Sequence, residues 1–266
     1  MTAINSRQKE IVQLVHDEKK MSVNALSDKT GVSTVTIRKD LKFLENAGLI
    51  RRVHGYACIP SPDDINNRMD YAYELKEQIA KCAADLVEDG ETIMVESGSS
   101  CALFVMELAK RKKNVTILTN SVFISDFIRN EDSIRIILLG GEIQKDSRAL
   151  VGPLLEQTVK NFLVDKFFLG TDGYTDENGF RIADYMRAQA VRQMVDQASH
   201  VYVLTDSSKF TKKSLVNQLP AQAVHMVITD QGISQGMIDS LNRHGVHVRL
   251  SDVQKDHPAW PKDKQL

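Results

Sequence analysis

At 266 residues, with 42% hydrophobic and 26% charged side chains, the chain has the makeup of a globular protein with room for two domains, which excludes disordered and fibrous classes. The longest apolar runs, such as residues 134–139 interrupted by Arg135, are far too short to span a membrane. No secretory leader is read, and three scattered cysteines (Cys58, Cys82, Cys101) make no disulfide framework, so a cytoplasmic location is expected. The formal net charge of −1 conceals an asymmetry: residues 1–57 carry ten Lys/Arg against six acids, while the remaining 24 bases face 29 acids. A basic head on an acidic body points to a polyanionic partner for the head alone.

In chain order, Ser6 is read as the N-cap of a first helix in which Ile11, Leu14 and Val15 share one face. Ser22 opens a shorter helix with Val23, Leu26 and Thr30, closed by Gly31 in a tight turn. Ser33 caps a third helix to about Ala47, whose Ile37, Leu41 and Leu44 recur at four and three residues and face a core. Its other side presents Thr34, Thr36, Arg38, Lys39 and Lys42. Two helices around a short Gly-containing turn, the second with hydroxyls and cations outward, form the pattern that enters the major groove of duplex DNA. After Gly48, residues 49–57 read as two strands around a basic turn, a wing that sets Arg51, Arg52 and His54 against the phosphate backbone. Arg38 is the candidate for bidentate reading of guanine, with Lys39 reaching bases or phosphates and Ser33, Thr34 and Thr36 donating to phosphate. Asp40 is expected to pair within the head, with Arg7 as one candidate. A plain helical core with a solvated cationic surface is the competing interpretation.

Residues 58–74, with Pro60 and Pro62, are read as a linker between a 1–57 head and a 75–252 domain, followed by a tail at 253–266. A helix resumes near Leu75, with Ile79, Ala83 and Leu86. Beyond Asp89-Gly90 short aliphatic strands alternate with amphipathic helices, giving an α/β domain with a mainly parallel sheet. Strands are placed at 92–96, 115–118, 134–139, 166–169, 201–204 and 227–228. Their ends carry Ser97-Gly98-Ser99-Ser100 (opening a helix from Cys101 to Lys110), Thr119-Asn120, Gly140-Gly141, Asp172-Gly173, Asp206 with Lys209, and Asp230. In open α/β sheets ligands bind at the carboxyl ends of strands, so these loops are expected to form one crevice. A hydroxyl- and amide-rich loop at a helix start suits a phosphate; Asn120, Asp172 and Asp206 suit sugar hydroxyls, and Lys209 supplies a cation.

Both segments resemble the DeoR family of bacterial repressors. In the head the resemblance rests on Arg7, Ile11, Val15, Ser33, Thr36, Ile37, Arg38, Lys39, Asp40 and Leu41 at the family's spacing. In the second domain it rests on Gly98-Ser99-Ser100, Thr119-Asn120, Gly140-Gly141, Val151-Gly152-Pro153, Asp172-Gly173, Gly179-Phe180 and residues 206–210. The resemblance implies a winged helix-turn-helix head and a sensor domain similar to the ribose-5-phosphate isomerase fold. It further implies a homo-oligomeric repressor that leaves its operator when a phosphorylated sugar or polyol binds. One departure stands out: where the sensors carry acidic residues and the isomerases a catalytic carboxylate, this chain has Arg187 and Gln189. Neither acts as a general base at neutral pH, so no enzyme activity is expected, and Arg187 becomes a second candidate phosphate contact. The rivals are a sugar-phosphate isomerase or deaminase fused to a DNA-binding head, and a second domain that serves only oligomerisation. No cofactor fingerprint is read. His244 and His247 have ligand-like spacing but fall on the outer face of a strand, and Cys101 is read as a packed small residue.

Overall fold

The computed structural model describes residues 5–47, 49–59, 61 and 63–252. The tail expected at 253–266, together with Gly48, Pro60 and Pro62, lies outside them. The chain divides into two compact units, Met1–Asp70 and Tyr71–Leu266.

The first unit holds α1 (Ser6–Glu18), β1 (Lys20–Ser22), α2 (Val23–Thr30), α3 (Thr34–Asn46), β2 (Arg51–Val53), β3 (Tyr56–Cys58) and α4 (Ile65–Asp70). Its core is the apolar stripe read from the sequence: Ile11, Leu26, Ile37, Leu41 and Leu44 are all shut from solvent. Ser22 and Ser33 cap α2 and α3, and Gly31 closes α2 with φ +70°. The cap of α1 is Asn5 rather than Ser6. Asn5 Oδ1 accepts from the Gln8 amide at 2.9 Å while Gln8 Oε1 accepts from the Asn5 amide at 3.2 Å, a reciprocal capping box. The wing is a three-stranded antiparallel sheet in the order β1-β3-β2, turning at His54 (φ +45°) and Gly55 (φ +84°). Two consecutive left-handed residues make the tight turn whose twist suits a hairpin.

The segment expected as a linker at 58–74 holds a helix. The structure places α4 inside it and starts α5 at Tyr73, because Ile65 and Met69 find buried sites and Asp64 pairs with Arg51 at 3.0 Å. The two prolines suggested a break; the apolar pair four residues apart decides for a helix.

The second unit contains α5 (Tyr73–Ala84), β4 (Thr92–Val95), α6 (Ser99–Arg111), β5 (Val115–Thr119), α7 (Val122–Phe127), β6 (Ile134–Leu138), β7 (Glu142–Ile143) and β8 (Leu150–Val151). It continues through α8 (Pro153–Val159), β9 (Val164–Leu169), β10 (Gly173–Thr175), β11 (Gly179–Ile182), α9 (Tyr185–Val195), β12 (Ala198–Leu204), β13 (Val216–Leu219), β14 (Met226–Thr229), α10 (Gln235–Arg243) and β15 (His247–Leu250). Among the described residues seven strands form one sheet in the order β15-β14-β12-β9-β4-β5-β6, every pair parallel. Phe104, Phe167 and Phe168 are fully buried in this unit, as expected for a sheet whose hydrophobic strands are covered. From β4 the chain winds outward through β5 and β6, then returns to lay β9 on the other side of β4. The order of strands therefore reverses between β4 and β9, and at such a switch point the strand ends part to leave a crevice.

Two smaller sheets were not anticipated. One is the β7–β8 hairpin, and the other is the antiparallel β10-β11-β13.

Candidate functional site

In the head, α3 turns Ile37, Leu41 and Leu44 inward and leaves Arg38, Lys39 and Lys42 exposed. Among the described residues none of these three cations is held in an ion pair. Val35, on the same exposed side, is 62% accessible, an apolar surface able to meet a thymine methyl. Ser33 Oγ accepts from the Thr36 amide at 3.3 Å and lies 3.0 Å from Thr36 Oγ1, so both hydroxyls serve the helix start, with Thr34 half-buried beside them. A groove of about 240 Å³ opens between α3 and the wing, with Arg38, Arg52, His54 and Tyr56 among its lining. The wing cations differ from those of α3. Arg52 bonds Glu45 through Nε at 2.6 Å and through its amide at 2.8 Å, and Arg51 pairs with Asp64. His54 stands exposed at the turn.

Asp40 faces inward. Its carboxylate accepts from Arg7 Nε at 2.6 Å, Arg7 Nη2 at 3.2 Å and Gln8 Nε2 at 3.0 Å, which ties α1 to α3. Burial pushes the Asp40 carboxyl up, but the hydrogen bonds from Arg7 and Gln8 and the Arg7 charge outweigh it and hold it below its ordinary value of 3.8. A folded pKa below the unfolded one contributes stability that is complete above the ordinary carboxylate range and is lost as pH falls through the depressed value. Asp40→Asn is expected to cost the head about 1–3 kcal/mol at neutral pH. The gap from wild type should close on acidification below the carboxylate range, and urea melts across pH check both parts.

In the second unit the switch point brings the ends of β4 and β9 together around a residue the sequence reading passed over. Glu96, 3% exposed, accepts from Ser97 Oγ at 2.9 Å, the Gly98 amide at 2.8 Å and the Gly170 amide at 3.3 Å. One carboxylate thus knots the two central strand ends. A Cβ on Gly98 would stand 2.9 Å from Glu96 Oε2, so a larger residue there would press on the carboxylate that joins the strand ends. Ser97, Ser99 and Ser100 are all buried, and no side chain caps α6, whose amino end opens at this loop. The signal available in sequence was an acid closing an apolar strand directly before Ser-Gly-Ser-Ser.

The other predicted ligand residues divide. Asn120, 1% exposed at the end of β5, donates Nδ2 to the Leu150 carbonyl at 3.1 Å, and its Oδ1 has no partner among the described residues. Arg187 is buried, 3% exposed, in the first turn of α9, and its Nε lies 4.0 Å from Asp184 Oδ1. Lys209 is half-buried on a short 3₁₀ turn, Ser207–Thr211, after β12.

Several of the remaining candidates have structural duties. Thr119 Oγ1 accepts from the Ser121 amide at 3.1 Å. Asp172 Oδ2 accepts from the Ala183 amide at 3.1 Å. Asp206 caps the 3₁₀ turn through the Ser208 amide at 3.1 Å and also accepts from the Ser208 hydroxyl. Asp230 receives both the amide and hydroxyl of Ser207. Gly141 (φ +144°) lies where a Cβ would be 2.7 Å from the Val151 carbonyl, and Gly140 leads into the same hairpin. Gly173 abuts the Lys212 carbonyl, 2.4 Å from where a Cβ would stand.

His244 bonds Asp176 at 3.0 Å through Nε2, whereas His247 lies beside the His225 ring at 5.5 Å, so the two histidines are not brought together. Cys101 is buried with its Sγ 3.7 Å from the Phe168 carbonyl.

The chain matches two family descriptions: a DeoR-like helix-turn-helix domain over residues 7–63 and a DeoR C terminal sensor domain over residues 71–231. The chain belongs to the DeoR family. This DeoR-family protein is 30% identical over 256 residues to a "Putative aga operon transcriptional repressor" of Escherichia coli O157:H7, covering 94% of this chain and 95% of that protein. It is 28% identical over 244 residues to the "Glycerol-3-phosphate regulon repressor" of Escherichia coli strain K12, covering 90% and 96%. Ribose 5-phosphate isomerase A from Methanocaldococcus jannaschii superimposes with a TM-score of 0.40 at 25% identity, over 53% of this chain and 56% of that one. In this DeoR-family chain no described helix is long and apolar enough to cross a membrane, and no described group of three His, Cys, Asp or Glu is arranged to hold a metal ion.

Proposed function

We propose that this DeoR-family chain is a DNA-binding transcriptional repressor of a carbohydrate-utilisation operon, released from its operator by a phosphorylated sugar or polyol. The observation that carries it is the pairing, in one chain, of an exposed α3 face bearing unpaired Arg38, Lys39 and Lys42 with a buried serine loop at a sheet switch point. The first presents fixed cations to a polyanion, and the second offers hydroxyls and a helix amino end to a phosphate. The relatives named as a putative repressor of an aga operon and as the repressor of a glycerol-3-phosphate regulon agree with that division of labour.

On this reading Arg38, Lys39 and Lys42 with Ser33, Thr34 and Thr36 meet bases and phosphates. Arg51, Arg52 and His54 flank the backbone, the two arginines after exchanging or sharing their acidic partners. Ser97, Gly98, Ser99 and Ser100 hold the phosphate with help from Lys209 and Arg187, and Asn120 takes a hydroxyl. Thr119, Gly140, Gly141, Asp172, Gly173 and Asp206 shape the loops. The functional division follows head and sensor, residues 1–57 and 75–252. The protein acts in the cytoplasm as a homo-oligomer, binding paired half-sites. It performs no catalysis, since Arg187 and Gln189 stand where the isomerases hold a carboxylate.

A thermal-shift screen against phosphorylated sugars and polyols tests the proposal, because a ligand that binds the native state raises its apparent stability. At least one compound should raise the melting temperature of wild type. The same compound should shift Lys209→Ala less, by about tenfold in fitted affinity, the scale of one lost charge-assisted hydrogen bond. No shift with any such compound would favour a sensor unit that serves only assembly.

A further inference from the structure

Gln218 lies in β13 opposite an irregularity of register. Phe180 pairs with Leu219 and Arg181 with Asn217, so Gln218 is the extra residue of a β-bulge. Bulges redirect a side chain out of the ladder and recur beside functional sites. Here the side chain is buried at 1% exposure, with Nε2 donating to the Gly170 carbonyl at 2.9 Å. Gly170 is the residue whose amide bonds Glu96, and a Cβ on it would stand 3.9 Å from the Gly98 Cα. The bulged amide therefore joins the knot at the switch point. Its Oε1 is closed to solvent and has no hydrogen-bond partner among the described residues. Flipping the amide does not relieve this: oxygen would then face the Gly170 carbonyl and the two N–H groups would lose it. A buried acceptor without a donor is unfavourable, and folds keep such groups where something else supplies the donor.

We propose that Gln218 is a specificity-determining residue of the sensor, its Oε1 accepting a hydrogen bond from a hydroxyl of the phosphorylated effector. The inference rests on the effector reading above and deepens it. Asn120 Oδ1 is the matching orphan acceptor on the other side, since β5 and β9 flank β4 and its serine loop. The serine loop after β4 thus lies between the chain segment that carries Asn120, at the end of β5, and Gly170, after β9, to which Gln218 is bonded. Two such acceptors favour a polyhydroxylated carbon chain over a bare phosphate or a deoxygenated one. Because Oε1 is shut from solvent, a hydroxyl reaches it only with local rearrangement of the side chains around it.

The test is calorimetric titration of the full-length protein with inorganic phosphate, pentose 5-phosphates, hexose 6-phosphates and their deoxy counterparts. Wild type should bind at least one sugar phosphate about tenfold more tightly than a deoxy counterpart. Gln218→Met, nearly isosteric, should bind both members of that pair equally, with unchanged affinity for inorganic phosphate and for operator. Preserved discrimination in Gln218→Met overturns the role of this residue while leaving the effector reading intact. Equal binding of every sugar phosphate and its deoxy counterpart by wild type also overturns it, whether or not the variant folds. Failure of wild type to bind any phosphorylated sugar removes the effector reading and this inference together.

Discussion

Arg38→Ala is expected to weaken specific operator binding by about 1–3 kcal/mol, one to two orders of magnitude, the range for one bidentate base contact. Effector binding should be unaffected. Arg38 sits exposed on α3 with no ion pair among the described residues, so its removal takes no support from the head. Fluorescence anisotropy on operator duplex checks the loss, and thermal melting checks that the fold is retained. Lys39→Ala and Lys42→Ala should instead weaken specific and nonspecific duplexes alike and lower the salt dependence of binding, as removal of a phosphate contact does. An Arg38 variant with wild-type operator affinity would take base readout away from α3.

Leu41→Ala should have the larger structural effect. Leu41 is fully buried on α3 among the few aliphatic residues that make the head's core. Truncating a core leucine costs about 2–5 kcal/mol, and a domain of this size has little stability in reserve. The head should melt on its own, with loss of DNA binding, while the second unit stays folded and continues to bind effector. Two separated transitions in calorimetry, only the lower one shifted by the substitution, are the expected signature. A single shifted transition would mean that the two units unfold together.

The elements legible in the sequence were those whose determinants are local. Ile37, Leu41 and Leu44 share a helical face only at one spacing, and that spacing also fixes which cations point outward. The parallel sheet was legible because short aliphatic runs were separated by amphipathic stretches. Asp40 was readable as an internal partner because a carboxylate on a phosphate-facing surface would repel its ligand.

The features that escaped depend on distant neighbours. Asn5 and Ser6 are both good caps, and what decides between them is Gln8 closing the box. The helix Ile65–Asp70 was hidden behind two prolines. Gly173, read at a strand-end loop, is instead the first residue of β10, in a small antiparallel sheet that β13 completes from farther along the chain. Glu96 and Gln218 look like ordinary polar residues until β4, β9 and β13 are laid side by side. Their meaning comes from the crossing, which no local pattern encodes. The same holds for the contacts of Asp172, Asp206 and Gly141, which bond or pack against neighbouring backbone.

The central claim is that one chain grips duplex DNA with α3 and lets go when its switch-point crevice fills. The most direct measurement starts from a duplex selected by the full-length protein from a random pool. The preformed complex is then titrated with phosphorylated sugars while anisotropy is read. One sugar phosphate should release the wild-type protein from the selected duplex, with inorganic phosphate at equal ionic strength having no such effect. A complex whose affinity is unchanged by every phosphorylated sugar, although the protein binds the duplex specifically, would contradict the account.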